Sequence, residues 1–143
     1  MASNLFDQLP AHVEPLAPPH RVLTVGAHPD DAEFGAGATL ARWADAGAEI
    51  VMCVLTDGSK GSWDADEPDA VLIERRHREQ AEAAAILGAG RVVHLDMVDG
   101  ELENTRDLRN HIAAQIRAHR PDVVLGHDPW QRYQLHPDHR AAG

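Results

Sequence analysis

Four apolar runs divide the chain: Arg21–Gly26, Glu49–Thr56, Arg91–Leu95 and Asp122–Gly126. Most are continuous rather than alternating in polarity, which is the pattern of strands covered on both faces. The segments between them read as helices. The first is expected from about Phe34 to Ala46, opening on small residues (Gly35, Ala36, Gly37, Ala38) and stopping at Gly47. The second runs from about Pro68 to Leu87, with Ala81, Ala84, Ala85 and Leu87 on its apolar side and Gly88 as its stop. The third covers about Thr105 to His119, where Leu108, Ile112 and Ile116 recur at helical spacing. Asp57 to Asp69 is rich in glycine, serine and acids and reads as a loop. Strands alternating with helices predict an α/β fold, Rossmann-like, with three α/β/α layers around a mostly parallel sheet. The common strand order 3-2-1-4 places strands 1 and 4 at the switch point. Ligands bind there, beyond the carboxyl ends of the strands.

That topology gives meaning to two short clusters. Ala27-His28-Pro29-Asp30-Asp31 follows strand 1 directly, and His136-Pro137-Asp138-His139 follows strand 4 by a loop of ten or so residues. Each packs imidazole and carboxylate beside a proline. These are the donors a hydrolytic zinc ion takes, with about three protein ligands and one open position. Taken alone, the first cluster also has a plainer reading as a helix N-cap, and the second is often a surface turn. Together, at facing strand ends, they point to a metal. Other features carry less. Gly26, Gly35 and Gly37 hint at a phosphate loop, but Asp30, Asp31 and Glu33 in the same turn repel a pyrophosphate and the spacing fails. Cys53 reads as a small core residue, His94 as structural, and His77, His111 and His119 as solvated. His127 and Asp128 end strand 4 and are candidates to line the crevice.

Composition narrows the partners. A length of 143 residues fits one domain, expected over residues 21–143 behind a proline-rich extended arm at 1–20. The net charge of −10 excludes a basic nucleic-acid face and an anionic membrane surface. No apolar run is long enough for membrane insertion, and the first twenty residues lack a signal-peptide core. A single cysteine allows no intrachain disulfide, so a reducing, cytoplasmic setting is expected.

At the two clusters the chain resembles the PIG-L/LmbE-like family of zinc-dependent N-deacetylases. The likeness covers residues 21–143. It includes Ala27–Glu33, the Gly-Ala-Gly-Ala-Thr helix start, Thr56-Asp57-Gly58, Arg76-His77-Arg78-Glu79, Ala83–Gly88, Asp99-Gly100-Glu101-Leu102 and His136–Arg140. The resemblance implies a small-molecule substrate of N-acetylglucosamine type and Zn2+ as cofactor, with Fe2+ an alternative for such ligands. It implies His28, Asp31 and His139 as metal ligands and Asp30 as the general base. By the same resemblance, His136 is similar to the histidine that stabilises the oxyanion or protonates the leaving amine, Asp138 resembles its orienting partner, and Arg76 and Asp99 match positions that face the sugar. An amidase acting on a thiol-sugar conjugate and an inactive metal-binding fragment are the rival expectations. Family members usually continue well past the position of Gly143, so the C-terminal part of the family fold is expected to be absent. The outer edge of strand 4 is then left unpaired, to be met by a second copy in a homo-oligomer or by further residues.

Overall fold

The computed structural model describes residues 17–132 and 135–143. Most of the expected N-terminal arm, residues 1–16, lies outside the described residues. The elements follow in the order β1 (Arg21–Gly26), α1 (Asp31–Asp45), β2 (Glu49–Thr56), α2 (Asp69–Ile86), β3 (Arg91–Met97), α3 (Arg106–His119), β4 (Val123–Leu125) and α4 (Pro137–Ala142). The four strands form one parallel sheet in the order β3-β2-β1-β4.

The continuous apolar runs mark the two central strands. In β2 every residue after Glu49 is buried, because successive side chains enter opposite core layers. On one face Leu23, Val25, Val51, Cys53 and Leu55 pack with Leu102 and Leu108, the latter on α3. On the other, Val22, Ile50 and Met52 meet Leu40 and Trp43 of α1 and Ala84 of α2. Helices thus cover both faces, and the carboxyl ends of β1 and β4 lie side by side, with Thr24 opposite Leu125.

Some local expectations shift. Helix α1 starts at Asp31 rather than near Phe34, because Phe34 N–H already donates to Asp30 O at 3.0 Å. The glycines are therefore inside the first turns. Helix α2 buries Leu72, Gln80 and Ala84, while Ala81 and Ala85 stay exposed. Strand β4 has only three ladder residues and pairs, among the described residues, with β1 alone. Val124 on it is 44% exposed, and Ile116 of α3 is exposed with it.

One turn makes a sharp demand. Gly88, after α2, has φ +75°, and a Cβ there would lie 2.8 Å from Ala44 Cβ of α1. Gly88→Ala combines a left-handed backbone with an overlap between two packed helices. It is expected to cost roughly 1–3 kcal/mol, read from urea unfolding midpoints. An unchanged midpoint would mean that α1 and α2 are not held this closely.

Candidate functional site

The site begins where β1 runs out. Thr56 of β2 donates both its N–H and its hydroxyl to Ala27 O, each at 2.8 Å, and this holds the strand end in place. Asp57 Oδ1 accepts from Ser59 N and Asp99 N, tying the loop after β2 to the loop after β3. The chain then turns abruptly at Asp30, whose φ of 92° and ψ of −17° lie in the left-handed region. Such a conformation costs a non-glycine residue about 1–3 kcal/mol and persists only where its surroundings enforce it. Here Gln80, buried on α2, accepts the Asp30 N–H at 2.9 Å. The turn sends the adjacent carboxylates to different places. The Asp31 side chain is 13% exposed and faces the crevice. The Asp30 side chain is 47% exposed and pairs with Arg76 Nη2 at 2.8 Å.

The histidines converge on Asp31. His28 Nδ1 lies 3.2 Å from His139 Nε2 and 3.5 Å from Asp31 Oδ2, and His139 Nε2 lies 3.1 Å from Asp31 Oδ1. Four ligands about 2.05 Å from a tetrahedral ion stand roughly 3.3 Å from one another. The three observed separations are near that edge, though they run to two different oxygens of Asp31. This donor set therefore fits a divalent ion in chemistry and brings its donors to within about one edge of each other.

His28 is aimed from behind. Its Nε2 lies 3.1 Å from Asp138 Oδ2 and 3.2 Å from Asp99 Oδ1. The ring therefore carries its proton on Nε2 and turns the Nδ1 lone pair toward Asp31 and His139. A carboxylate behind a ligating imidazole fixes its tautomer and orientation. Asp138 is fully buried and accepts further hydrogen bonds from Gly100 N at 2.8 Å and Leu102 N at 3.2 Å. The expectation that the Asp138 carboxylate orients His136 is thus corrected: it serves His28. The contact to His136 is through the backbone, where Asp138 N–H donates to His136 Nδ1 at 3.2 Å and His136 caps α4. Asp99, also buried, is likewise held against His28, with Lys60 N–H donating to its other oxygen. Arg76 donates to Pro29 O as well as to Asp30 and pairs with Glu79. His28, Pro29, Asp30, Arg76, Asp99 and His136 line one open cleft.

His127 belongs to the cluster too. Its ring stacks on His139 at 4.0 Å between centroids, and its Nε2 stands 3.0 Å from Asp31 Oδ2. The same nitrogen accepts the Ala27 N–H at 3.0 Å. One lone pair cannot serve both a backbone donor and an ion, which favours His28 over His127 as the third ligand. Asp31, His127 and His139 also bring one donor atom each within 4.8 Å of one another, as do His28, His136 and His139. In sequence only the position of His127, just past the β4 end, marked it.

Burial pushes the Asp31 carboxyl upward, but the neighbouring His127 and His28 side chains, together with the His28 backbone N–H that donates to Oδ2, outweigh this and hold it well below its ordinary 3.8. Burial also opposes charge on His28, yet Asp31, Asp99 and Asp138 raise it above 6.5. For His139, burial and the neighbouring imidazoles prevail over Asp31 and lower it. The two histidines oppose each other near neutrality, so the acid limb is the clean readout. A depressed carboxylate contributes stability that is present above its unfolded pKa and lost as pH falls. The metal-free protein is expected to lose stability on acidification below about pH 4, and Asp31→Asn to flatten that limb, in urea titrations across pH. Parallel limbs would remove Asp31 as the cause.

A family profile described as "PIG-L: GlcNAc-PI de-N-acetylase" matches residues 23–143. The chain is 42% identical over 130 residues to the diacetylchitobiose deacetylase of Thermococcus kodakarensis, covering 91% of this chain and 49% of the relative. It is 35% identical to the 1D-myo-inositol 2-acetamido-2-deoxy-alpha-D-glucopyranoside deacetylase of Kineococcus radiotolerans, covering 97% and 49% respectively. The structure of N,N'-diacetylchitobiose deacetylase from Pyrococcus horikoshii, complexed with its inhibitor, matches with a TM-score of 0.85 at 35% identity, covering 87% of this chain and 47% of that one. The chain spans about half the length of the relatives it matches.

Proposed function

The chain belongs to the PIG-L family, and on that premise we propose that it carries the metal-binding site of a hydrolase that removes the acetyl group from an N-acetylglucosamine-type substrate. The observation that carries this reading is the convergence of His28 Nδ1, His139 Nε2 and the two Asp31 oxygens, with separations of 3.2, 3.5 and 3.1 Å. These three would hold the ion. A bound Zn2+, or Fe2+ on the same donors, supplies Lewis acidity and lowers the pKa of water to about 7.

The remaining steps belong to the chain's own side chains. Asp30, at the cleft rim, takes a proton from the attacking water as general base. Arg76 fixes the Asp30 carboxylate and faces the same cleft, where it can also meet a sugar hydroxyl. His136 uses Nδ1 as an acceptor, so its neutral ring carries the proton on Nε2. That N–H can donate a hydrogen bond to the developing oxyanion, while the departing amine, which cannot leave without a proton, takes the one Asp30 removed from the water. Asp138 and Asp99 keep His28 turned toward Asp31 and His139. The names of the three relatives above, deacetylases of N-acetylated sugars, support the substrate class. Among the described residues no helix is long and apolar enough to cross a membrane.

Acetate release from N,N'-diacetylchitobiose and N-acetylglucosamine, with and without a chelator, tests the reading. Chelator-sensitive release that returns on adding Zn2+ is the expected result. Full metal loading with no acetate from either sugar would overturn it.

A further inference from the structure

A second cluster of donors lies outside the cleft, on the edge strand β3 and the helix above it. His77 is on α2, and His94 and Asp96 are on β3. One nitrogen or oxygen from each lies within 4.8 Å of the other two. The two imidazoles stack at 3.9 Å between centroids with 26° between their planes. His77, expected to be solvated, is thus half-buried against His94. None of the three touches the first cluster.

Three observations set this group apart from a chance gathering of polar residues. His77 Nε2 and His94 Nδ1 are both buried without a hydrogen-bond partner. Asp96 Oδ1 approaches His77 Nε2 at 3.0 Å but without the alignment of a hydrogen bond. Lone pairs left idle in this way are costly unless something takes them up. The backbone is also distorted to bring the carboxylate in. The β2–β3 register slips between Val54 and Thr56, a bulge that opposes Leu95 and Asp96 to a single residue, and Asp96 has φ +50°. Bulges re-aim side chains, and a left-handed aspartate is strained. Finally, the donor types are consistent. Two imidazoles and one carboxylate, with solvent on the Asp96 side, are the ligands of a three-protein-donor site for a borderline divalent ion.

We infer that His77, His94 and Asp96 form a second divalent transition-metal site, one that takes Zn2+ or a similar ion and clips α2 to the edge of the sheet. Closing it turns one imidazole about its terminal torsion, which is soft, because an ion must lie in the plane of each ring. The neighbour of His77 on α2 is Arg76, which grips Asp30. A clip one residue away would fix the helix that carries that contact.

Zn2+ titration by calorimetry decides. The wild-type chain is expected to bind two ions. His94→Gln should bind one fewer, and Asp31→Ala should lose the other event while keeping this one. Asp96→Asn keeps a residue that tolerates the left-handed backbone but removes the charge. It should weaken this event by more than about tenfold, the low end of the effect of losing even an outer partner. Unchanged stoichiometry in His94→Gln, or loss of every ion in Asp31→Ala, would overturn the assignment. If His94→Gln fails to fold, Asp96→Asn decides alone, and an unchanged affinity there overturns it.

Discussion

Asp31→Ala is expected to abolish ion binding at the cleft, whereas Asp30→Asn keeps the ion and loses about 10²–10⁴-fold in rate. Two neighbouring aspartates then have opposite metal phenotypes. The cause is the left-handed turn at Asp30. It puts the Asp31 oxygens between His28, His127 and His139, and leaves the Asp30 carboxylate at the rim on Arg76. Asparagine is among the residues that tolerate this backbone, so Asp30→Asn removes the base without rebuilding the turn. Zn2+ titration and acetate release on the same two preparations check the pair. Equal metal loss in both variants would show that the turn does not separate their roles.

The second large effect is on stability. Asp138→Ala is expected to destabilise the fold by about 3–5 kcal/mol, because it leaves without an acceptor the groups that now share one fully buried carboxylate. Those groups are Gly100 N–H, Leu102 N–H and His28 Nε2. Asp138→Asn keeps the shape and one acceptor oxygen, so its stability cost is smaller. Its amide nitrogen no longer holds the Nε2 proton of His28 in place, and metal affinity is expected to fall about 10–100-fold. Urea unfolding and Zn2+ titration separate the two consequences. A near-neutral Asp138→Ala would mean that the carboxylate is not the pin between α4, the loop after β3 and His28.

The sheet was readable because burial on both faces leaves a continuous mark. β2 has no polar position between Ile50 and Leu55, and its boundaries came out residue for residue. The order β3-β2-β1-β4 followed from common doubly wound topology, and with it the meeting of the two clusters. What escaped is what depends on long-range geometry. Nothing local shows that Asp138 reaches back to His28 rather than to its neighbour His136, since that choice is made by the loop after β3 presenting Gly100 and Leu102. His127 has no motif around it, and only the pairing of β1 with β4 brings it onto Asp31. His77 looked solvated because its partner, His94, lies on another element. Among the described residues the short β4 has one neighbouring strand, and apolar composition cannot distinguish such a strand from a central one.

Anomalous diffraction at the zinc edge, from crystals of the Zn2+-loaded chain, tests the central claim most directly. The expected result is an ion in the cleft held by His28 Nδ1, Asp31 and His139 Nε2 at about 2.0–2.2 Å, with the Ala27 N–H still on His127. An ion held by Asp31, His127 and His139 with His28 Nδ1 unligated, or no ion among these residues, would contradict it.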